Sequence, residues 1–304
     1  MRHARKICYA LLAVLALTSS AHATGSSSCT AHISSAGPIA SVAYDPFDGV
    51  ARDVSFVVEF TNDSSNACTL SLAVKSQATG SSRYFKNGTD QLRYLVVWPD
   101  NSEFPNDLNQ PRGSISLQGG VGKTKAVTLR VKVPANLIAL AKTYNDLLTF
   151  RAYKAGTSTR VGTDRTNVAT SAVVEARAQV NIAGALSSHF GTFGVDQIDF
   201  NTLTSGETQD SIVQVRATSG VSIAIVSQNL GRLRHKILLS DPGVLYTMRL
   251  DGTVINLNAP ASINRSPPIS LDGASYPMKL QIGHVTGRPA GNYQDMLTIT
   301  VSPQ

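Results

Sequence analysis

Apolar residues recur at every second position along most of this chain, and almost nowhere at the spacing of a helix. Val54, Phe56, Val58 and Phe60 fall on alternate positions, as do Val127, Leu129, Val131 and Val133. Farther on, Val213/Val215, Val221/Ile223/Ile225, Tyr246/Met248/Leu250 and Met278/Leu280/Ile282 repeat the pattern. Successive side chains of a strand point to opposite faces, so a period of two marks segments buried on one side. Turn signals separate the segments: Asp48-Gly49, Asn87-Gly88, Gly119-Gly120, Ser219-Gly220, Asp251-Gly252 and Asp272-Gly273. The one stretch with room for a helical turn is the short Ala135–Lys142. Many short strands without alternating helices predict an all-β chain of antiparallel sandwiches.

The chain also repeats itself. Tyr144-Asn-Asp146-Leu-Leu148-Thr149-Phe150 and Tyr293-Gln-Asp295-Met-Leu297-Thr298-Ile299 place Tyr, Asp, Leu and Thr at identical spacing. Tyr44-Asp-Pro-Phe47 resembles Phe200-Asn-Thr-Leu203 more weakly. Between the halves, Ala172–Ile182 reads as one extended strand with Val174, Ala176, Ala178, Val180 and Ile182 on one face. Its first part is expected to close an N-terminal sandwich over residues 24–178, complete through Val174–Val180. Its second part is expected to open a C-terminal sandwich over 179–304.

The two copies of the repeated strand differ in their continuation. Another long alternating strand comes after the first, and only Ser302-Pro303-Gln304 after the second. The expectation is two immunoglobulin-like antiparallel β-sandwiches, the second lacking its last strand. Val180, Ile182, Leu297, Ile299 and Val301 would then line an apolar groove. An unpaired edge beside an unfilled core is a liability unless another chain supplies the strand.

Arg2, Arg5 and Lys6, the 11-residue apolar run Ile7–Leu17 and Ala21-His22-Ala23 read as a secretory signal peptide cleaved after Ala23. Loss of its three cations lowers the formal charge from +7 to +4, and a mild excess spread along strands is no nucleic-acid footprint. Cys8 would leave with the signal. Cys29 and Cys68, the remaining pair of the three cysteines, are expected to form one disulfide in an oxidising compartment. That bridge closes a loop of about 40 residues and contributes on the order of 4 kcal/mol in the chain-entropy picture.

Motifs of chemistry are sparse. Gly119-Gly120-Val121-Gly122-Lys123-Thr124 has Leu117 where a phosphate loop needs its first glycine, and a strand rather than a helix comes next, so hairpin glycines are the reading. His32, His189, His235 and His284 lack metal-site spacing, and no G-x-S-x-G elbow marks a nucleophile. No cofactor, metal or catalytic residue is nominated. The sequons at Asn62, Asn87 and Asn264 are read as chance matches. Trp98, Leu137, Ile138 and Leu140 would form an adhesive patch if exposed together at a loop tip, with simple core packing the other reading of each.

Ile198-Asp-Phe200-Asn-Thr-Leu203-Thr-Ser-Gly206, Gln228-Asn229-Leu-Gly231-Arg232-Leu233-Arg234-His235, Tyr246-Thr-Met-Arg-Leu250-Asp251-Gly252 and Pro289-Ala290-Gly291-Asn-Tyr293 resemble, in that order, the spore coat protein U domain family. The resemblance covers about residues 181–304. The first half shares only Tyr44–Gly49, the cysteine pair and Tyr144–Thr149, without Pro-Ala-Gly before its tyrosine. The resemblance implies a subunit of the archaic chaperone–usher pathway, whose partners are a periplasmic assembly chaperone, an outer-membrane usher and an adjacent pilus subunit that donates a strand. Shaft subunits carry an alternating apolar extension, whereas Thr24-Gly-Ser-Ser-Ser28 is polar and short. The expectation is therefore a non-enzymatic tip adhesin, exported through the periplasm to the cell surface, binding a host or abiotic surface and supporting biofilm formation. A self-contained secreted binding module, for carbohydrate or a surface, and a non-tip pilus subunit are the competing readings.

Overall fold

The computed structural model describes residues 29–183, 190 and 196–304. The signal peptide expected over 1–23, the polar stretch 24–28 and His189 lie outside the described residues. Those described form twenty β-strands and no helix. The first ten are β1 (Ala31–Ala36), β2 (Val42–Tyr44), β3 (Arg52–Asn62), β4 (Cys68–Ser76), β5 (Arg83–Asn87), β6 (Asp90–Val97), β7 (Arg112–Leu117), β8 (Thr124–Val133), β9 (Thr143–Lys154) and β10 (Arg160–Val174). The second ten are β11 (Ala178–Ala183), β12 (Thr208–Ala217), β13 (Val221–Ser227), β14 (Arg232–His235), β15 (Val244–Leu250), β16 (Thr253–Ile255), β17 (Ala261–Arg265), β18 (Ala274–Ile282), β19 (Tyr293–Gln294) and β20 (Leu297–Pro303). The possible helical turn at Ala135–Lys142 is irregular instead. Asn136 sits at φ 60°, a left-handed conformation that a right-handed helix cannot continue through.

The two sets of strands pair within themselves. In the first, β1-β3-β8-β6 forms one face and β7-β4-β9-β10-β2 the other, with β5 bridging β6 and β9 into one curled sheet. Phe56, Val58, Phe60, Leu70, Leu72, Phe85, Leu129, Val131, Leu148 and Phe150 fill the space between the faces. The Cys29–Cys68 disulfide, with Cα atoms 5.4 Å apart, joins the segment before β1 to the start of β4 across those faces. In the second set, β11-β12-β18-β15 opposes β17-β13-β20 around Val213, Val215, Val221, Ile223, Ile225, Met248, Leu250 and Ile282. The alternation in the sequence is thus core on one side of each strand and solvent on the other.

The single strand expected over Ala172–Ile182 is broken. β10 ends at Val174 and β11 begins at Ala178 because Thr218 captures the backbone between them. Its hydroxyl donates to the Glu175 carbonyl at 2.8 Å and accepts from the Arg177 N–H at 2.8 Å, while its own N–H reaches the Arg177 carbonyl at 2.9 Å. These contacts occupy the groups a continuous ladder would need. The strand that completes the first sandwich is accordingly Arg160–Val174, not Val174–Val180. It pairs antiparallel with β9, and its last three residues pair parallel with β2.

The same junction fixes the two sandwiches to each other. The Ala141 N–H donates to the Thr218 carbonyl at 2.8 Å, and Arg177 lies 3.6 Å from Asp45. The Arg216 guanidinium sits 4.8 Å from the Phe47 ring centre and 4.5 Å from that of Phe190, within cation–π range of both. Burial lowers the Arg216 pKa from its ordinary value.

Candidate functional site

The repeated Tyr-x-Asp-x-Leu-Thr segment builds the same device twice. Tyr144 donates its hydroxyl to the Leu140 carbonyl at 3.0 Å, and Tyr293 donates to Pro289, also four residues back, at 2.9 Å. The aspartates then pin each strand across the core. Asp146 accepts the Tyr94 hydroxyl at 2.6 Å, and Asp295 accepts those of Tyr246 and Ser227 at 2.5 Å each. Ser76 and Ser227 close β4 and β13 and stand opposite Leu148 and Leu297 in the same register. Each serine oxygen also accepts a backbone N–H, of Ala78 at 3.1 Å and of Gly231 at 2.7 Å. Burial, then the adjoining carboxylate, pushes the Tyr94 and Tyr246 phenols far above their ordinary range. Both therefore stay neutral donors. A hydrogen bond to a charged acceptor of this kind contributes roughly 1.5–3 kcal/mol.

With β9 and β20 held alike, their apolar residues nevertheless end in different surroundings. Leu148, Phe150 and Ala152 are fully buried, whereas their counterparts Leu297, Ile299 and Val301 are partly exposed. The cause lies at the strand edge. β9 lies between β4 and β10, which cover both its edges. β20 pairs with β13 along one edge, and no described residue pairs with the other. Across the opening, β11 pairs with β12 and has Cα atoms within 8 Å of β20 without a backbone hydrogen bond to it. Val180 and Ile182 on β11 are partly exposed too, and all five predicted groove residues except Ile182 pack against the second core.

The opening can be given a magnitude. Fully burying a Val, Leu or Ile side chain is worth about 1.5–3 kcal/mol, so five that are up to about a third exposed leave at most roughly 3–5 kcal/mol unrealised. The free edge of β20 adds backbone donors and acceptors at alternate residues. That chemistry suits an extended segment carrying apolar residues at every second position.

The residues expected at an adhesive tip do not meet. Leu137, Ile138 and Leu140 lie beside Lys142, which pairs with Asp90 at the start of β6, whereas Trp98 follows the last residue of that strand. An eight-residue strand separates those ends by roughly 26 Å. None of the four is among the exposed large apolar residues. Trp98 stacks on Phe104 with ring centres 5.0 Å apart, and a Cβ built on Gly113 would lie 2.2 Å from its ring. Phe104 is held in turn by Arg83, whose guanidinium donates to the carbonyls of Val74 at 2.5 Å, Phe104 at 2.6 Å and Pro105 at 2.6 Å. Burial lowers the Arg83 pKa to about 10. Leu137 is anchored by Tyr44, whose hydroxyl donates to its carbonyl at 2.9 Å and accepts its N–H at 2.8 Å. Trp98 and Leu137 pack against the first core, and Ile138 and Leu140 are partly buried, which corrects the assignment of the four to one exposed loop.

Sequence reasoning missed Ser76, Ser227, Tyr94, Tyr246 and Arg83. A serine ending an alternating strand and a tyrosine inside another were the available signals, and both recur in each half. Asn62, at one sequon, is buried and donates through Nδ2 to the Asn66 and Gln118 carbonyls at 2.8 and 2.7 Å, a structural role. Among the described residues no group of three or more His, Cys, Asp or Glu is gathered as a metal site, and no helix is long and apolar enough to cross a membrane.

No protein-family model and no curated protein matches the chain, so the likeness to the spore coat protein U domain rests on its sequence motifs. Solved structures do resemble it. One is the CsuC–CsuE chaperone–tip adhesion subunit pre-assembly complex of the archaic chaperone–usher Csu pili of Acinetobacter baumannii. It is 14% identical, with 86% of this chain and 96% of that one covered, at a TM-score of 0.47. The adhesive subunit CfaE of the CFA/I fimbria of enterotoxigenic Escherichia coli is 15% identical over 77% of this chain and 81% of that one, at 0.37. A tip adhesin from Pseudomonas aeruginosa is 12% identical over 90% and 92%, at 0.36. Likenesses of this degree carry no argument about function.

Proposed function

We propose that this protein is the two-domain tip adhesin of a chaperone–usher pilus, anchored by accepting a donor strand between β11 and β20. One observation carries the reading: the repeated strand is sealed by β10 in the first sandwich, while its copy β20 keeps a free edge over partly exposed Leu297, Ile299 and Val301. β10 also indicates the form the donor must take, a strand antiparallel to β20 with small or branched apolar residues facing inward. A periplasmic assembly chaperone fills the groove first, and an adjacent pilus subunit replaces it at the usher. The first sandwich, complete within the chain, is then free to meet a host or abiotic surface and support biofilm formation. The similar solved structures include tip adhesins; the proposal stands on the edge of β20 and not on that likeness.

The experiment is thermal unfolding of the whole protein with and without a peptide of about nine residues bearing Val or Ile at every second position, long enough to pair with Leu297–Pro303. Stabilisation by this peptide, but not by a scrambled one with the alternation destroyed, supports the groove. Equal midpoints with both peptides count against it. Co-expression with the chaperone of the same pathway should yield a one-to-one complex. A soluble monomer that ignores both peptide and chaperone favours the self-contained binding module.

A further inference from the structure

The most exposed run of large apolar side chains lies away from the groove walls. In the loop joining β14 to β15, Ile237 is 82%, Leu238 44% and Leu239 84% exposed. Three adjacent residues of this kind cost solubility wherever nothing covers them. The loop is nonetheless built to hold them out. His235, itself buried, accepts the N–H groups of Ile237 at 3.1 Å and Leu238 at 2.9 Å on Nδ1, which leaves its Nε2 to donate to the Ala290 carbonyl at 3.2 Å. The Lys236 N–H donates to the Asn292 carbonyl at 2.8 Å. Asp241, buried beneath the loop, pairs with Arg288 at 3.3 Å, and its carbonyl accepts from Arg234 at 3.2 Å. Arg232 and Arg234 reach the carbonyls of Pro242 and Asp241 at the end of the loop, and Lys236 directly precedes the apolar run, so cations flank it.

The position of this loop identifies its cover. β20 starts at Leu297, opposite Ser227, and ends at Pro303 beside Gly220 and the junction with the first sandwich. The loop packs against residues 290–292, just ahead of β19, and so lies at the pole where β20 starts. Leu230 and Met296, 53% and 63% exposed, lie at that pole as well. A donor that copies β10 runs antiparallel to β20, so its C-terminal end leaves the groove at this pole. The rest of the donor molecule must emerge there.

We infer that the Ile237-Leu238-Leu239 loop is a second docking surface for the subunit that fills the groove, its apolar run and flanking cations receiving a face of that subunit that is apolar with an acidic rim. This rests on the donor-strand reading. A strand paired along β20 ends opposite Leu297, whereas the domain that follows it emerges at the pole where the loop lies. The surface would fix the angle at which the tip sits on the fibre and slow its release.

The test compares two probes on the full-length protein: a purified pilus subunit carrying its alternating N-terminal extension, and that extension alone as a peptide. Ile237→Ser, Leu238→Ser and Leu239→Ser combined, all at exposed positions, should leave peptide affinity unchanged and speed dissociation of the whole subunit at least tenfold. Lys236→Glu, a milder second variant, should weaken the subunit complex and make it less sensitive to added salt than wild type, without affecting the peptide. Equal dissociation of the subunit from the triple variant and from wild type overturns the inference while leaving the groove intact. If wild type binds neither probe, the groove reading fails and this inference with it. A wild-type dimer, or flotation with vesicles of anionic phospholipid, that is lost in the triple variant would assign the patch to a second copy or a lipid surface and overturn it.

Discussion

Leu148→Ala and Leu297→Ala delete the same side chain from equivalent positions of the repeated strand, yet their costs should differ. Leu148 is sealed between β4 and β10, and truncating such a residue costs about 3–5 kcal/mol in lost transfer energy and residual cavity. Leu297 is partly exposed beside a free edge, where the same truncation removes a smaller contact and leaves an open notch in place of a sealed cavity, costing about 1–2 kcal/mol. A donor strand converts the second environment into the first. The difference of about 2–3 kcal/mol then reappears as a loss of donor affinity, roughly 30–150-fold in peptide Kd. Urea titration separates the sites, because the single tryptophan, Trp98, belongs to the first sandwich and reports its unfolding, while far-UV circular dichroism follows both. Equal destabilisation by the two substitutions in the free protein would refute the reasoning. So would a Leu297→Ala protein that binds the donor peptide as tightly as wild type.

Tyr246→Phe and Tyr94→Phe each remove the donor to a strand-pinning aspartate and should each cost about 1.5–3 kcal/mol in denaturant titrations, the first affecting the second sandwich and the second the Trp98-reported transition. Reducing Cys29–Cys68 should destabilise the first sandwich by about 4 kcal/mol, visible in Trp98 fluorescence, and leave donor-peptide binding unchanged. The hydrogen bond from Arg151 holds the Asp164 carboxyl below its ordinary pKa, so its contribution is complete above about pH 4 and drains away as pH falls through the lowered value. Asp164→Asn should therefore lower the stability of the first sandwich at pH 7 and flatten its loss under acid. Gly113→Ala, at φ 73° and against the Trp98 ring, should shift the Trp98 emission maximum and lower stability.

Period-two alternation is a local property, which is why the all-β architecture was readable from Val54–Phe60 or Val221–Ile225 alone. The repeated Tyr-x-Asp-x-Leu-Thr segment was readable as a repeat, but its partners were not. Ser227, Tyr246 and Asp295 meet only after β13, β15 and β20 fold together, and no spacing encodes that meeting. Ala172–Ile182 misled because its face pattern continues unbroken through Glu175-Ala176-Arg177, where a distant Thr218 hydroxyl breaks the ladder. The supposed adhesive residues misled for a similar reason. Apolar side chains flanking a proline or ending a strand look alike whether a loop extends outward or folds back, and buried Arg83 draws the Trp98–Phe104 segment in. The Ile237-Leu238-Leu239 run was visible in the sequence, but its exposure depends on His235 and Asp241 beneath it.

Amide hydrogen exchange along Leu297–Pro303 tests the open edge most directly. In the protein alone, the amides directed toward β13 should exchange slowly and the alternate amides should exchange at rates close to those of exposed loops. Adding the alternating donor peptide should then slow the second set. Slow exchange at every residue of β20 without any donor would contradict the account.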